Sequence, residues 1–498
     1  MALNLCYVVS RRVKKTLYLV LGGRGVSVAT FGRTDILTDV AEITRDNVCD
    51  VLVSALTTHQ KNAAQIQYLY NYYLGDQPVL QRQPEVRPEI NNPIVENNAY
   101  EVVEFKVGYF CYEPTQYVSA VDSKEVTAAI DKLNRYMRMV DKSAQDRAIV
   151  WWFYIGGVGY RIVLPNPYYK PDDAPFEMYD LDPRTTFVVK YNGLGKKPVM
   201  NVTFVMREDG VVVFSVYTRD WYYEIEDGIK IVREEPNPLG ELPIIEYPAN
   251  QAQLGSFEMV ISLMDALNET ESNRADAVEN FVQALLLFHN VDISAKDFDE
   301  LRKKGALKFK DIDANLQAEI KYLVEELDQG ETQVFVDHLY QRILTICGMP
   351  NRNGGSSTSD TGKAVIFRDG WSMAEYRAKH TEGFFRSSEM AALKVALHIC
   401  RVLGAIDLDV STVDVRCARR NYENIKEKAD VLVEMLNNDS IDPKLAFMHS
   451  GMFLDPETAY QLSMKYKKEH AEEELAQLER IAGIKKKTAG SEGNTDDV

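Results

Sequence analysis

The stretch from Gly355 to Lys363 is the part of this sequence that comes nearest to known chemistry, with glycines, hydroxyls and a lysine gathered as they are around bound phosphate. A phosphate loop needs four residues between its glycines and a Ser or Thr after its lysine to hold magnesium. Here six residues separate Gly355 from Gly362, and Ala364 follows Lys363, so nucleotide chemistry is not expected. Gly22, Gly23 and Gly25, like Gly156, Gly157 and Gly159, miss the G-x-G-x-x-G spacing and point to turns or close backbone packing. The seven histidines form no H-E-x-x-H pair, and His338 and His398 sit in apolar helical stretches where core packing explains them. Six cysteines, at 6, 49, 111, 347, 400 and 417, include no C-x-x-C pair, which fits thiols kept reduced. No catalytic set, metal or cofactor is expected, and the chain does not read as an enzyme. The aromatic groups Tyr68, Tyr70, Tyr72, Tyr73 and Trp151 to Tyr154 could stack on bases, but little positive charge is interleaved with them, so they read as core.

What must position any site is a chain of 498 residues, long enough for two to four packed regions. Hydrophobic residues make up 45% and charged residues 26%, the balance of a folded globular protein. Arg11, Arg12, Lys14 and Lys15 precede only a short apolar run, Leu17 to Leu21, so no secretory signal is expected. Ala148 to Leu164 is apolar but broken by Gly156, Gly157, Gly159 and Arg161, and reads as buried core rather than a bilayer span. The net charge of −17 argues against a general basic surface for nucleic acid, yet it suits a channel wall that DNA slides past without adhering.

The fold class expected is α+β, mainly helical. Helical spacing covers Thr57–Leu74, Ser123–Val140 with Ser123 as N-cap, and Gln145–Tyr154. From Phe176 to Val232 the period becomes that of strands, and Asn192-Gly193, Asp209-Gly210 and Asp227-Gly228 supply hairpin turns for an antiparallel meander. A proline-studded linker holding Pro236, Pro238, Pro243 and Pro248 follows, then a helix expected over Ser256–Phe288. A short mixed stretch, Ile293 to Leu327, separates it from a second helix at Glu331–Cys347. A Ser/Gly-rich loop then leads into a third, Ser372–Leu403. Asp442-Pro443 and Asp455-Pro456 each announce a short helix, and the polar tail after Ile484 should be disordered.

The linker residues Pro238, Gly240, Pro243, Ile244, Ile245, Tyr247 and Asn250, followed by Ser256, Asp265, Asn268, Ser272, Asp276, Phe281 and Ala284, resemble the portal family of tailed phages of Gram-positive hosts. The resemblance implies a portal-type subunit. Residues 1–250 would form an N-terminal region and wing with the β-rich module at 176–232, 251–290 a stem helix, 291–330 a clip and 331–348 the returning stem helix. Residues 349–362 would form a tunnel loop, 363–404 the wing's spanning helix, 405–484 a helical crown and 485–498 the tail. It implies a twelve-fold ring of this chain at one capsid vertex of the virion, assembled in the host cytoplasm, through which double-stranded DNA passes. Twelve copies would carry about −200 formal charges, favouring a non-adhesive channel. Terminase, head-completion or adaptor proteins, and the major capsid and scaffolding proteins are the implied partners, with no membrane. Arg352, Asn353, Gly354, Gly355, Ser356, Ser357 and Lys363 are the implied DNA-facing residues of the tunnel loop, and Lys303, Lys304, Lys308 and Lys310 the docking residues of the clip. Composition alone also fits a cytosolic helical scaffold or adaptor with no DNA channel.

Overall fold

The computed structural model describes residues 32–84, 88–121, 123–282, 285–289, 319–323, 329–350, 370–417, 425–453 and 456–471. After a short strand β1 (Ile36–Thr38) comes a long helix α1 (Val48–Tyr73), then α2 (Asn98–Phe110), strand β2 (Gln116–Ser119), α3 (Lys124–Met139) and α4 (Lys142–Gly156). Ser123 caps α3 as its sequence promised, its hydroxyl accepting from Val126 N. Strands follow: β3 (Val158–Pro165), β4 (Phe176–Leu181), β5 (Thr186–Tyr191), β6 (Pro198–Met206), β7 (Val212–Tyr217), β8 (Trp221–Glu226), β9 (Lys230–Pro236) and β10 (Ile244–Pro248).

The expected meander is there: β5 to β9 pair antiparallel in chain order, and β1 adds parallel to β5, giving a six-stranded sheet. Asp227 and Gly228 make the β8–β9 turn with φ of 47° and 78°, the positive pair that a tight hairpin requires. At the β5–β6 turn the positive angles fall on Gly195 and Lys196 rather than on Asn192-Gly193, because the connection is longer than two residues. A second sheet has the order β10-β3-β4.

The N-terminal half of α1 lays Val48, Val51, Leu52, Ala55 and Leu56 on the six-stranded sheet against Phe187, Val202, Phe214 and Ile225. Its C-terminal half enters the main core, where Leu69 and Tyr72 join Val103, Phe153, Tyr247, Phe257, Phe385 and Leu393. One helix thus bridges two cores. Between them lies His59, buried and stacked on Phe187 at 4.3 Å between ring centres. The Arg184 carbonyl can only accept, so His59 Nε2, 3.0 Å away, is the donor. Burial pushes its pKa down to about 4, against the smaller upward pull of Arg184 and Asp182. An unfolded His59 takes up a proton near pH 6.5 and the folded one does not. Stability should therefore fall as pH drops from 6.5 towards 4, by up to about 3 kcal/mol from this residue. Denaturation midpoints between pH 7.5 and 4.5 check this: His59→Gln keeps a donor, loses the titration, and should flatten that part of the profile.

Beyond β10 a short turn of helix (Glu258–Val260) leads into α5 (Ile261–Val282). The helix expected to reach Phe288 stops there, because the apolar run Leu285–His289 is a strand, β11, paired antiparallel with β12 (Glu319–Leu323). Then come α6 (Gln329–Cys347) and α7 (Trp371–Val402), close to their expected bounds, and the short strand β13 (Val413–Arg416), which pairs with β2. Helices α8 (Ile425–Leu436) and α9 (Pro443–His449) share a separate small cluster around Leu432, Ala446 and Phe447. Asp442 caps α9 through Lys444 N, with Pro443 in the first turn.

Candidate functional site

Helix α5 carries a stripe of polar residues, Asp265, Asn268, Ser272 and Asp276, at spacings of three and four, and every one of them has a fixed partner. Asp265 accepts from Tyr72 Oη at 2.9 Å. The next three accept alternate backbone N–H groups of a strap running antiparallel to the helix. Glu96 N reaches Asn268 Oδ1 at 2.9 Å, Ile94 N reaches Ser272 Oγ at 2.9 Å and Asn92 N reaches Asp276 Oδ1 at 2.7 Å. Asn268 also donates to Gln77, and Ser272 donates back to the Asn268 carbonyl, so the side chains are held before the strap arrives. Arg82 closes the far end on Asp276 Oδ2 at 2.7 Å. Among the described residues the strap pairs with no strand, and these side chains satisfy its N–H groups in place of one.

Helix α6 packs against α5, with Arg274 bonded across to Gln333 at 3.1 Å. Leu339, Ile343 and Leu344 of α6 are buried in the main core, but Val334 and Phe335 in its first half are 70% and 50% exposed, and Val278 of α5 is 58% exposed. These three apolar side chains stand exposed along two adjacent helices.

Helix α7 crosses the body and is fastened at its middle by a group of buried charges. Glu389 is fully buried; Arg161 Nη1 donates to it at 2.9 Å, Tyr247 Oη at 3.0 Å and Tyr117 Oη at 2.5 Å, while Lys142 Nζ lies 3.2 Å from it. Asp146 accepts from Lys142 at 2.6 Å and from Arg161 Nη2. Two cations and two carboxylates leave the group neutral. Burial works against the charge on Glu389, but Lys142 and Arg161 outweigh it, with help from the two tyrosine hydroxyls, and hold the carboxyl below the usual glutamate range. Burial, with the carboxylates beside them, raises Tyr117 and Tyr247 well above the usual phenol, so both stay protonated. The pocket next to Asp146, lined also by Cys111 and Cys417, has a volume of about 10 Å³, room for a water and not for a substrate. The group joins β2, α4, β3, β10 and α7; it is a fastening.

The residues that the sequence singled out for DNA contact, Arg352, Asn353, Gly354, Gly355, Ser356, Ser357 and Lys363, lie outside the described residues, as do Lys303, Lys304, Lys308 and Lys310. On either side of the first group, α6 ends at Cys347 and Gly370 stands directly before α7. Among the described residues no group of three or more His, Cys, Asp and Glu could hold a metal, and no helix is long and apolar enough to cross a membrane. The aromatic cluster is packed as expected, with Tyr70 and Tyr73 against Trp151 and Arg184 over Tyr70. Sequence reasoning missed the charge group altogether. The signal was Arg161 inside an apolar run, because an arginine in a core strand demands buried carboxylates.

These features define a mainly helical α+β subunit built around a strapped helix pair with an uncovered apolar flank. Residues 55–486 match the family of phage portal proteins described as SPP1 Gp6-like, and the chain belongs to that family. No curated protein matches it. Among solved structures it is similar to the neck of an empty GTA particle computed with C6 symmetry, at 13% identity over 71% of this chain and 90% of that one, with a TM-score of 0.40. It is similar also to the neck of the native GTA particle computed with C12 symmetry, at 11% identity over 72% of this chain and 91% of that one, with a TM-score of 0.41.

Proposed function

We propose that copies of this chain form a ring, twelve-fold on the family pattern, whose channel passes double-stranded DNA into and out of a phage head. The family match across 55–486 carries this reading. The exposed Val278, Val334 and Phe335 support it, because neighbouring copies packed side by side along α5 and α6 would cover them. The charge of −17 per chain suits a wall over which DNA moves without sticking. In this reading residues 291–330 form the clip that docks terminase and later the head-completion proteins through Lys303, Lys304, Lys308 and Lys310. The segment 351–362 faces the channel and touches phosphates through small polar groups, with Arg352 and Lys363 supplying the few positive charges. No step calls for catalysis by this chain. It resides at the capsid vertex of the virion.

Electron microscopy of the purified protein tests the assembly, and rings with a central hole wide enough for duplex DNA are the expected result. Val334→Asp combined with Phe335→Asp should keep the helical circular dichroism unchanged and shift native mass from rings to small species. Rings that survive this pair of charges at all concentrations would remove the proposed α5–α6 contact, and a wild-type protein that stays monomeric would remove the ring.

A further inference from the structure

Among the described residues strand β4 has one free edge. Its partner β3 lies on one side only, so every second N–H and C=O of Phe176–Leu181 points away from the sheet. Of the three other edges of the two larger sheets, the short β1 spans only three residues and the remaining two are dealt with. The outer edge of β10 is covered by Asn201, whose Nδ2 donates to the Ile244 carbonyl at 2.7 Å, and β9 is blunted by Lys230, Arg233, Glu235 and Pro236. β4 has no proline and no basic side chain, and it borders an open groove of about 290 Å³ formed with Met139, Val140 and Gln145 at the α3–α4 junction. That volume takes one or two apolar side chains and is small for a cofactor. Met139 and Tyr179 stand 47% and 50% exposed at its sides. The charged residues lining it, Asp173 and Glu177, are both acidic.

We propose that the N-terminal segment of the same copy, Arg11 to Leu21, adds to the free edge of β4 as a further strand. The segment has the chemistry that the groove asks for: Arg11, Arg12, Lys14 and Lys15 for the acidic rim, then Leu17-Tyr18-Leu19-Val20-Leu21, a run of strand-forming apolar residues for the groove. Nothing in the ring reading uses it, and it precedes the family match, which begins at residue 55.

The tether is long enough. Gly32 sits beside Ala252, on the loop that packs over Gly157 at the C-terminal end of α4, while Val140 and Gln145 lie at the N-terminal end of that helix. Fifteen residues of α4 span about 22 Å, and the ten residues 22–31 reach up to about 35 Å, with Gly22, Gly23 and Gly25 leaving the path free to bend.

Amide hydrogen exchange on the assembled full-length chain tests this. Alternate amides of 176–181 should exchange at least tenfold faster when residues 1–25 are deleted, and adding a synthetic peptide of residues 9–23 should restore the slow rate. Asp173→Lys with Glu177→Lys should speed the same amides, and Arg11→Glu, Arg12→Glu, Lys14→Glu and Lys15→Glu added to that variant should slow them again. Equal exchange with and without the segment overturns the proposal. A Leu19→Cys, Tyr179→Cys pair should crosslink within single chains on a denaturing gel; crosslinked dimers overturn the same-copy assignment. Ring formation, imaged in parallel, is expected in every variant, so a failure here is distinct from failure of the ring.

Discussion

Replacing Glu389 with alanine should destabilise the folded chain by about 3–5 kcal/mol, more than any surface change, because Arg161 and Lys142 would remain buried with Asp146 as their sole carboxylate. Glu389→Gln, which keeps the size and loses the charge, should cost nearly as much. The informative comparison is Glu389→Leu with Arg161→Met, which removes one charge of each sign. Lys142 and Asp146 then keep each other, and the double variant should be more stable than either single one. Thermal unfolding midpoints give the order directly; a double variant as unstable as the sum of the singles would show that packing rather than charge balance dominates. The pH response has a fixed sign. The folded Glu389 carboxyl lies below its unfolded value, so its contribution is present above about pH 4.5 and is lost as pH falls further. That loss comes after the one from His59, which begins near pH 6.5, so the two contributions should be lost over separate stretches of an acid titration.

Gly157→Ala should be the most damaging single methyl among the described glycines, at about 3 kcal/mol or more. The residue has φ of +83°, and a Cβ there would meet Gln253 O at 1.9 Å and its carbonyl carbon at 2.4 Å. Backbone cannot swing aside as a side chain does. The loop it would push away is tied down on both sides, with Ala249 N bonded to the Gly157 carbonyl at 3.0 Å and Ser256 N to Tyr154 O at 2.7 Å. Beneath the loop, buried Glu258 accepts from Gly32 N, Gly255 N and Arg33 Nη2 at 2.9, 2.9 and 2.6 Å, so displacing the loop disturbs a buried ion pair as well. Gly240 is the control: its φ is +58° with nothing within 4 Å of a Cβ, and Gly240→Ala should cost about 1 kcal/mol from backbone strain alone. Equal costs at the two sites, measured by urea midpoint, would mean that the loop yields.

Local rules carried the sequence far where neighbours along the chain decide the structure. Ser123 and Asp442 cap helices as read, α7 begins and ends within a residue of its expected bounds, and strands β5 to β8 fall where the alternation put them. Reading failed where the partner is distant. Leu285-Leu286-Leu287-Phe288 suits a helix or a strand equally, and pairing with Glu319–Leu323, thirty residues on, decides it. The polar stripe on α5 was visible as a family pattern, but nothing near it in sequence says that Asn92, Ile94 and Glu96 bond to it across more than 170 positions. Glu389 looked like any solvated helix glutamate, since its partners Arg161, Tyr117 and Tyr247 come from three other elements.

The bonding of the strap to α5 has the arithmetic of a vernier. Two residues of extended chain advance about 6.7 Å, while four residues of helix advance about 6 Å, so successive rungs drift apart by about 0.7 Å. The side chains are graded to absorb that drift: the shortest, Ser272, holds the central rung, and the longer Asn268 and Asp276 reach outward from either side of it. Sliding the strap by one notch would put Asn268 or Asp276 opposite the central amide and leave an end amide facing no acceptor. The helix therefore has one axial setting relative to the body, defined to a fraction of its own pitch by three side chains of two lengths.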